Sequence, residues 1–198
     1  MAKEGQSITL TQEQHESFMQ YLDTTRHPER DTLIYLLTYR AGMRIGAIAQ
    51  LLISDIIDTG GNIKKVITLR KSITKGSKTT MAYISHPELQ ESISRYLKLL
   101  ENKGKKGRVQ AASNLFLTQK DYPLSPNVAS QIMLKHYNKA GFEGSSSHQG
   151  RAGFATNCLK NGMDIVAVSK LMSHTSLNTT MRYIRHNQEE LSNMVAKL

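Results

Sequence analysis

Cysteine is almost missing from this sequence: Cys158 stands alone, so the chain builds no internal disulfide and no CxxC zinc site. Set inside an apolar run, that thiol reads as buried and inert. Tryptophan is absent and aromatic residues make up 6% of the chain, which argues against a protein that grips single strands by stacking their bases. Prolines number four and hydrophobic residues are 39%. With no low-complexity tract, that composition belongs to a globular chain rather than a disordered one. No apolar run reaches about 18 residues, so no transmembrane span is read. The start, MAKEGQSITLTQEQ, lacks the basic-then-apolar layout of a signal peptide. A cytoplasmic protein, sitting on the nucleic acid it meets there, is expected. There is no GxxxxGK(S/T) loop for ATP and no HExxH. The acids are too scattered for a nuclease working through two metals. No metal and no cofactor is expected.

Acid is in short supply overall. Sixteen Asp and Glu face 26 Lys and Arg, leaving a formal charge of +10 and a pI near 9.7. That balance points to a polyanionic partner. Nucleic acid leads, with an anionic membrane surface second, and the few aromatics favour backbone contacts to a duplex.

The 198 residues suffice for one good-sized core or two small ones. They read as mainly helical with a small antiparallel sheet, an α+β domain. Thr11 and Gln14 make a capping-box pattern ahead of a helix with Phe18, Tyr21 and Leu22 on one face. RDTLIYLLTYRAG is apolar nearly all round, so buried, and Gly42 suits its stop. RIGAIAQLLISDI predicts a third helix. Gly60-Gly61 mark a turn before strand formers at Val66, Thr68, Thr80, Tyr83 and Ile84, in a hairpin or three-stranded meander with TKGSK at its tip. HPELQESISRYLKLL returns to helix. Ser125 with Pro126 starts another, SSSHQGRAGFATNCLKNG runs to a stop near Gly162, and Asp164 caps a short one. The closing stretch is amphipathic through Leu191, Met194, Val195 and Leu198.

His148 and Arg151 stand three apart at the entrance to the FAT helix. Residues so spaced share a face, and first-turn N–H groups favour an anion there. Histidine exchanges a proton near neutral pH, and the guanidinium fork fits two phosphate oxygens. The spacing alone is weak, because HPER, His27 to Arg30, repeats it in what reads as a polar linker. Taken singly, Arg44 just past Gly42 is a snorkelling arginine, Lys75 and Lys78 are solvated turn lysines, and Tyr183, between Arg182 and Arg185, is a surface ring. A phenol becomes a nucleophile when something accepts its proton.

Together and in this order, the pieces are specific: an arginine after a glycine break, a lysine on a hairpin, H-x-x-R entering FAT, an L-x-x-H turn, and a tyrosine after TT. The chain from about Asp31 to His186 resembles the catalytic domain of the tyrosine recombinases, the phage-integrase family. AGMRIGAIAQL is similar to the family's first arginine box, and FATNCLKNGMDIVAVSKLMSHTSLNTTMRYI to its second. The resemblance implies a site-specific DNA recombinase, independent of metal and ATP, in which Tyr183 attacks the scissile phosphate and leaves a 3′-phosphotyrosyl link. Arg44 and Arg151 would bind the non-bridging oxygens. Lys75, or Lys78 on the same tip, would protonate the leaving 5′-oxygen. His148 would accept the proton of Tyr183, and His174 would hydrogen-bond the phosphate. A free phenol has a pKa of about 10, so an acceptor is required near neutrality. The implied partner is double-stranded DNA, with a homotetramer on two sites and a monomer alone. The closing helix would pack on a neighbouring subunit or on the chain's own core.

Departures from the pattern are also visible. Ala47 replaces the acid usual three after the first arginine. The usual H-x-L-R-H-T-F-A-T becomes HQGRAGFAT, whose Gly150, Ala152 and Gly153 predict thinner packing. Family members typically carry a separate N-terminal DNA-clamping domain, whereas only about 30 residues precede the matching region here, so residues 1–198 are expected to be one catalytic domain, either a minimal recombinase or a fragment of a longer one. A DNA-binding module with little recombination, a type IB-like topoisomerase, and a basic interaction or membrane-surface domain remain as alternatives.

Overall fold

The structure, a computed structural model, describes residues 10–74, 79–102, 113–183 and 195–196. Its helices are α1 (Gln12–Asp23), α2 (Pro28–Tyr39), α3 (Ile45–Ala49), α4 (Ile53–Ile56), α5 (Pro87–Asn102), α6 (Pro126–Lys139), α7 (Gln149–Lys160), α8 (Ile165–Leu171) and α9 (Leu177–Met181). Two strands, β1 (Val66–Leu69) and β2 (Thr80–Tyr83), pair antiparallel with Val66 opposite Tyr83 and Leu69 opposite Thr80. The mainly α architecture with a small antiparallel sheet is the one the sequence predicts, with a hairpin rather than a meander among the described residues. Among those residues, no helix is long and apolar enough to cross a membrane.

The centre of the fold is α2. Every residue from Asp31 to Tyr39 is buried, because α1, α5 and α7 all pack against it. Its C-terminal end is fixed by a polar network. Arg40 Nε donates to Glu88 Oε2 at 2.7 Å, His15 Nε2 lies 3.3 Å from Glu88 Oε1, and the His15 ring stacks on Tyr39 with centroids 4.2 Å apart. Asn157 of α7 donates to the Tyr39 hydroxyl at 3.0 Å. The residues that follow, Arg40 to Arg44, are therefore set on a rigid base.

The predicted cap signals hold. Thr11 and Gln14 form both halves of a capping box, and Ser125 and Asp164 accept first-turn N–H groups of α6 and α8. Three expectations are corrected. RIGAIAQLLISDI is two short helices, not one. Between them Leu51–Ile53 exchanges backbone bonds with residues 113–115: Ile53 N–H to Ser113 O at 2.9 Å, and Leu115 N–H to Leu51 O at 2.8 Å. Asp55 then takes the Leu52 N–H at 2.8 Å and restarts the helix. HPER is not a linker but the start of α2, with His27 as N-cap and Pro28 at the first position. Nor do Gly150 and Gly153 thin the packing. A Cβ on Gly150 would lie 1.9 Å from Thr38 Oγ1, and one on Gly153 2.7 Å from the Tyr39 ring. The two glycines let α7 press onto α2 without a gap.

A second, smaller apolar cluster joins α7 and α8. Ala155, Val168 and Met172 are buried, with Phe154, Cys158, Leu159 and Tyr183 packed against them. Cys158 is half-buried, and burial pushes its thiol up to about 11, which keeps it protonated and unreactive. Of the closing amphipathic residues, Val195 is exposed, while Leu191, Met194 and Leu198 lie outside the described residues.

Candidate active site

The turn after α2 meets three neighbouring segments from more than 100 residues further along the chain: the N-terminus of α7, the turn after α8, and α9. Gly42 makes the first turn possible. Its φ of +61° is a left-handed conformation that glycine adopts without the Cβ clash other residues suffer, and its missing Cβ leaves room for the Phe154 ring. The turn aims the Gly42 carbonyl at α7, where Arg151 Nη1 donates to it.

The turn after α8 supplies two more carbonyls. Met172 ends the helix, and Ser173 follows with φ +51°. Ser173 N–H donates to Lys170 O and His174 N–H to Ser169 O, the paired bonds of a Schellman cap. The cap leaves successive carbonyls free to bind arginines. Arg151 Nη2 donates to Met172 O, and Arg44 Nη2 to Ser173 O at 3.3 Å. Backbone dipoles, not carboxylates, orient both guanidinium groups. Among the described residues no Asp or Glu pairs with either arginine, whereas Arg30 in the HPER copy is ion-paired to Asp31 at 2.8 Å. Ala47, buried at the position where the family pattern has an acid, adds no negative charge.

The charge is therefore concentrated and uncompensated. Burial, with the neighbouring Arg44 positive charge, pulls Arg151 down to about 9, and burial lowers Arg44 as well. His148, the N-cap of α7, keeps an exposed edge, yet partial desolvation lowers its pKa first, and the Arg151 and Arg44 charges lower it further. The same causes bring His174 down to about 4. Both histidines are neutral at pH 7, and two cationic arginines lie beside them. An anion set between these groups would relieve every one of these penalties.

Tyr183 completes the constellation. Its ring is half-buried on the α7–α8 cluster and stacks beside His174 at 6.3 Å between centroids, planes 16° apart. It lies within electrostatic reach of both arginines. A shallow open cleft is lined by Arg44, Arg151 and Ser173 and, on the hairpin side, by Thr74, Thr80 and Met81. The structure thus brings together five of the six residues singled out in the sequence: Arg44, His148, Arg151, His174 and Tyr183. Lys75, and its alternative Lys78, lie outside the described residues. The sequence reading missed the carbonyls of Gly42, Met172 and Ser173, because nothing in a residue's identity announces where its backbone oxygen points. It also missed Thr180, whose hydroxyl meets His174 Nδ1 at 2.8 Å.

The sequence model of the phage integrase family matches residues 9–190. The chain belongs to the phage integrase family. It is similar to the tyrosine recombinase XerA of Thermococcus onnurineus, 30% identical over 192 residues that are 92% of this chain and 60% of that protein. It is also similar to XerA of Pyrococcus horikoshii, 33% identical over 168 residues, covering 85% and 54%. The chain thus spans between half and two thirds of the length of these relatives. Among solved structures, a XerA recombinase superposes with a TM-score of 0.74 at 23% identity, over 96% of this chain and 64% of that one. A XerH site-specific recombinase bound to its difH substrate, in a pre-cleavage complex, gives 0.71 at 21%, over 99% and 55%. At these identities the likeness establishes the fold of this family member. Among its described residues, no group of three or more His, Cys, Asp or Glu could hold a metal ion.

Proposed function

We propose that this chain is the catalytic domain of a site-specific recombinase that breaks and rejoins double-stranded DNA. The observation that carries this reading is the pair of backbone-held arginines, free of carboxylate partners among the described residues, beside a tyrosine and two neutral histidines. A phosphodiester is an anion that a tyrosine can attack, and the arginines supply fixed positive charge where its oxygens become crowded and more negative. The homologous Xer proteins are recombinases by name, and the XerH structure holds a DNA substrate.

In the step proposed, the Tyr183 hydroxyl oxygen attacks the scissile phosphorus as its proton passes to His148, which is neutral and able to accept it. Arg44 and Arg151 bind the non-bridging oxygens, and His174 donates a hydrogen bond to one of them. The bond from phosphorus to the 5′-oxygen breaks, and Lys75 protonates that oxygen. The products are a 3′-phosphotyrosyl link and a free 5′-hydroxyl. The covalent link conserves the energy of the broken bond, so the reverse reaction with a 5′-hydroxyl from another strand completes the exchange. Four copies on two DNA sites would carry both exchanges.

The test uses duplexes that the protein selects from a randomised pool, with nicks stepped across the selected site so that the cleaved fragment diffuses away. A protein–DNA adduct that resists denaturant is expected with the native chain and not with Tyr183→Phe. Binding with no adduct from any nick would leave a DNA-binding module with this fold. Relaxation of supercoiled plasmid regardless of sequence would favour a topoisomerase.

A further inference from the structure

Thr180 has no part in the chemistry just described, yet it touches two members of the site. Its side chain is fully buried on α9, its backbone carbonyl accepts the Tyr183 N–H at 3.0 Å, and its Oγ1 lies 2.8 Å from His174 Nδ1. Among the described residues that nitrogen is the only hydrogen-bond partner of the hydroxyl, and His174 Nε2 has none.

A hydroxyl carries one donor hydrogen and two acceptor lone pairs. A buried donor left unmade is costly, whereas an unused lone pair on an oxygen that already takes part in a bond costs little. If Nδ1 carried the ring proton, it would donate to Oγ1 and the Thr180 hydrogen would be stranded inside the protein. Protonating both nitrogens would strand it in the same way. The arrangement in which every buried donor is used has Thr180 donating to Nδ1, and the ring proton on Nε2.

We infer that Thr180 is a positioning residue: its hydroxyl fixes His174 as the neutral tautomer that carries its proton on Nε2, so that beside the two arginines His174 offers a hydrogen-bond donor and not a base. The lowered basicity of His174 agrees, since burial and the two arginines disfavour the imidazolium independently of the hydroxyl. The two histidines then divide the work. His174 gives a hydrogen bond, and His148, which has no hydroxyl against its ring nitrogens among the described residues, remains the proton acceptor. Thr180 also ties that choice to the nucleophile, since it lies one turn before Tyr183 and bonds its backbone.

The inference about the tautomer stands apart from the catalytic reading, whereas its functional consequence rests on it. The test is therefore double. In DNA-free protein labelled with ¹⁵N-histidine, native His174 should show Nε2 protonated and Nδ1 bare at neutral pH. Thr180→Val, close in shape but without a donor, should give a mixture of tautomers, and Thr180→Ser should restore the native signal. A native spectrum with Nδ1 protonated, or one unchanged in Thr180→Val, overturns the assignment. In the nicked-duplex assay, Thr180→Val should slow adduct formation by about 10–100-fold, the scale of losing a group that orients an imidazole. Its DNA affinity should be unchanged, and Thr180→Ser should recover the rate. A changed tautomer with an unchanged rate would refute the positioning role. A correct tautomer in a native chain that forms no adduct would count against the recombinase reading alone.

Discussion

Replacing Gly150 with alanine sets two physical effects against each other, and the structure says which wins. Within a helix, alanine is favoured over glycine by about 0.5–1 kcal/mol, so propensity predicts a more stable protein. Sterics predict the reverse. The new Cβ would fall 1.9 Å from Thr38 Oγ1 and 3.0 Å from Thr38 Cβ. Rotating Thr38 away would break its hydrogen bond to Tyr35 O, 2.7 Å long, at about 1 kcal/mol, and would leave the Cβ–Cβ contact too close. The remaining relief must come from moving α7 off α2, and overpacking of this kind costs about 1–3 kcal/mol. The net expectation is a loss of roughly 1–3 kcal/mol, or a melting temperature lower by about 2–12 °C for a chain of this size. Because His148 and Arg151 ride on the first turn of α7, cleavage should fall as well. Thermal denaturation of Gly150→Ala, Thr38→Ala and the double variant tests this. The double variant should recover part of the loss, with a coupling above about 0.5 kcal/mol. A Gly150→Ala protein that melts higher than the native one, or strictly additive effects, would refute the close-packing account.

Further outcomes follow from the same structure. Gly42→Ala should destabilise by about 1–2 kcal/mol from its left-handed backbone alone and more from the Phe154 ring, 2.5 Å from the new Cβ, as thermal melting will show. Ser173→Gly should raise stability by up to about 1 kcal/mol, because only the side chain resists that backbone; a lower melting temperature would contradict it. Glu88 is held at about 2, against an ordinary 4.5, first by its hydrogen bond to His15 and next by Arg40. Its contribution is complete above pH 4.5 and is lost as pH falls through about 2, so Glu88→Gln should flatten the acid limb of the stability curve in that window. Arg30→Ala should lower stability by breaking its ion pair with buried Asp31 while leaving adduct formation intact, whereas Arg151→Ala should abolish the adduct.

Much of this arrangement is legible in the sequence, because it is written in side chains and spacing. The capping box at Thr11, the buried run through α2, the hairpin strands and the order of Arg44, His148, Arg151, His174 and Tyr183 all follow from residue identity. What stayed hidden depends on partners far along the chain. The break between α3 and α4 is made by residues 113–115, about 60 positions away, and local periodicity carries no trace of it. Gly150 and Gly153 looked like lost packing because the pattern shows what is missing from α7 and not that Thr38 and Tyr39 occupy the space. The HPER copy looked irrelevant for the wrong reason. It begins a helix as His148 does, and what separates the two is the carboxylate of Asp31 beside Arg30. The hold on both arginines by backbone carbonyls is set by two left-handed residues, one of them a serine, which composition does not foretell.

The most direct test of the account is the identity of the atom that captures DNA. Adducts trapped on a nicked duplex, digested and sequenced by mass spectrometry, should carry the 3′-phosphate on the hydroxyl of Tyr183 and on no other residue. A phosphate on a different side chain, or an adduct that persists in Tyr183→Phe, would contradict it.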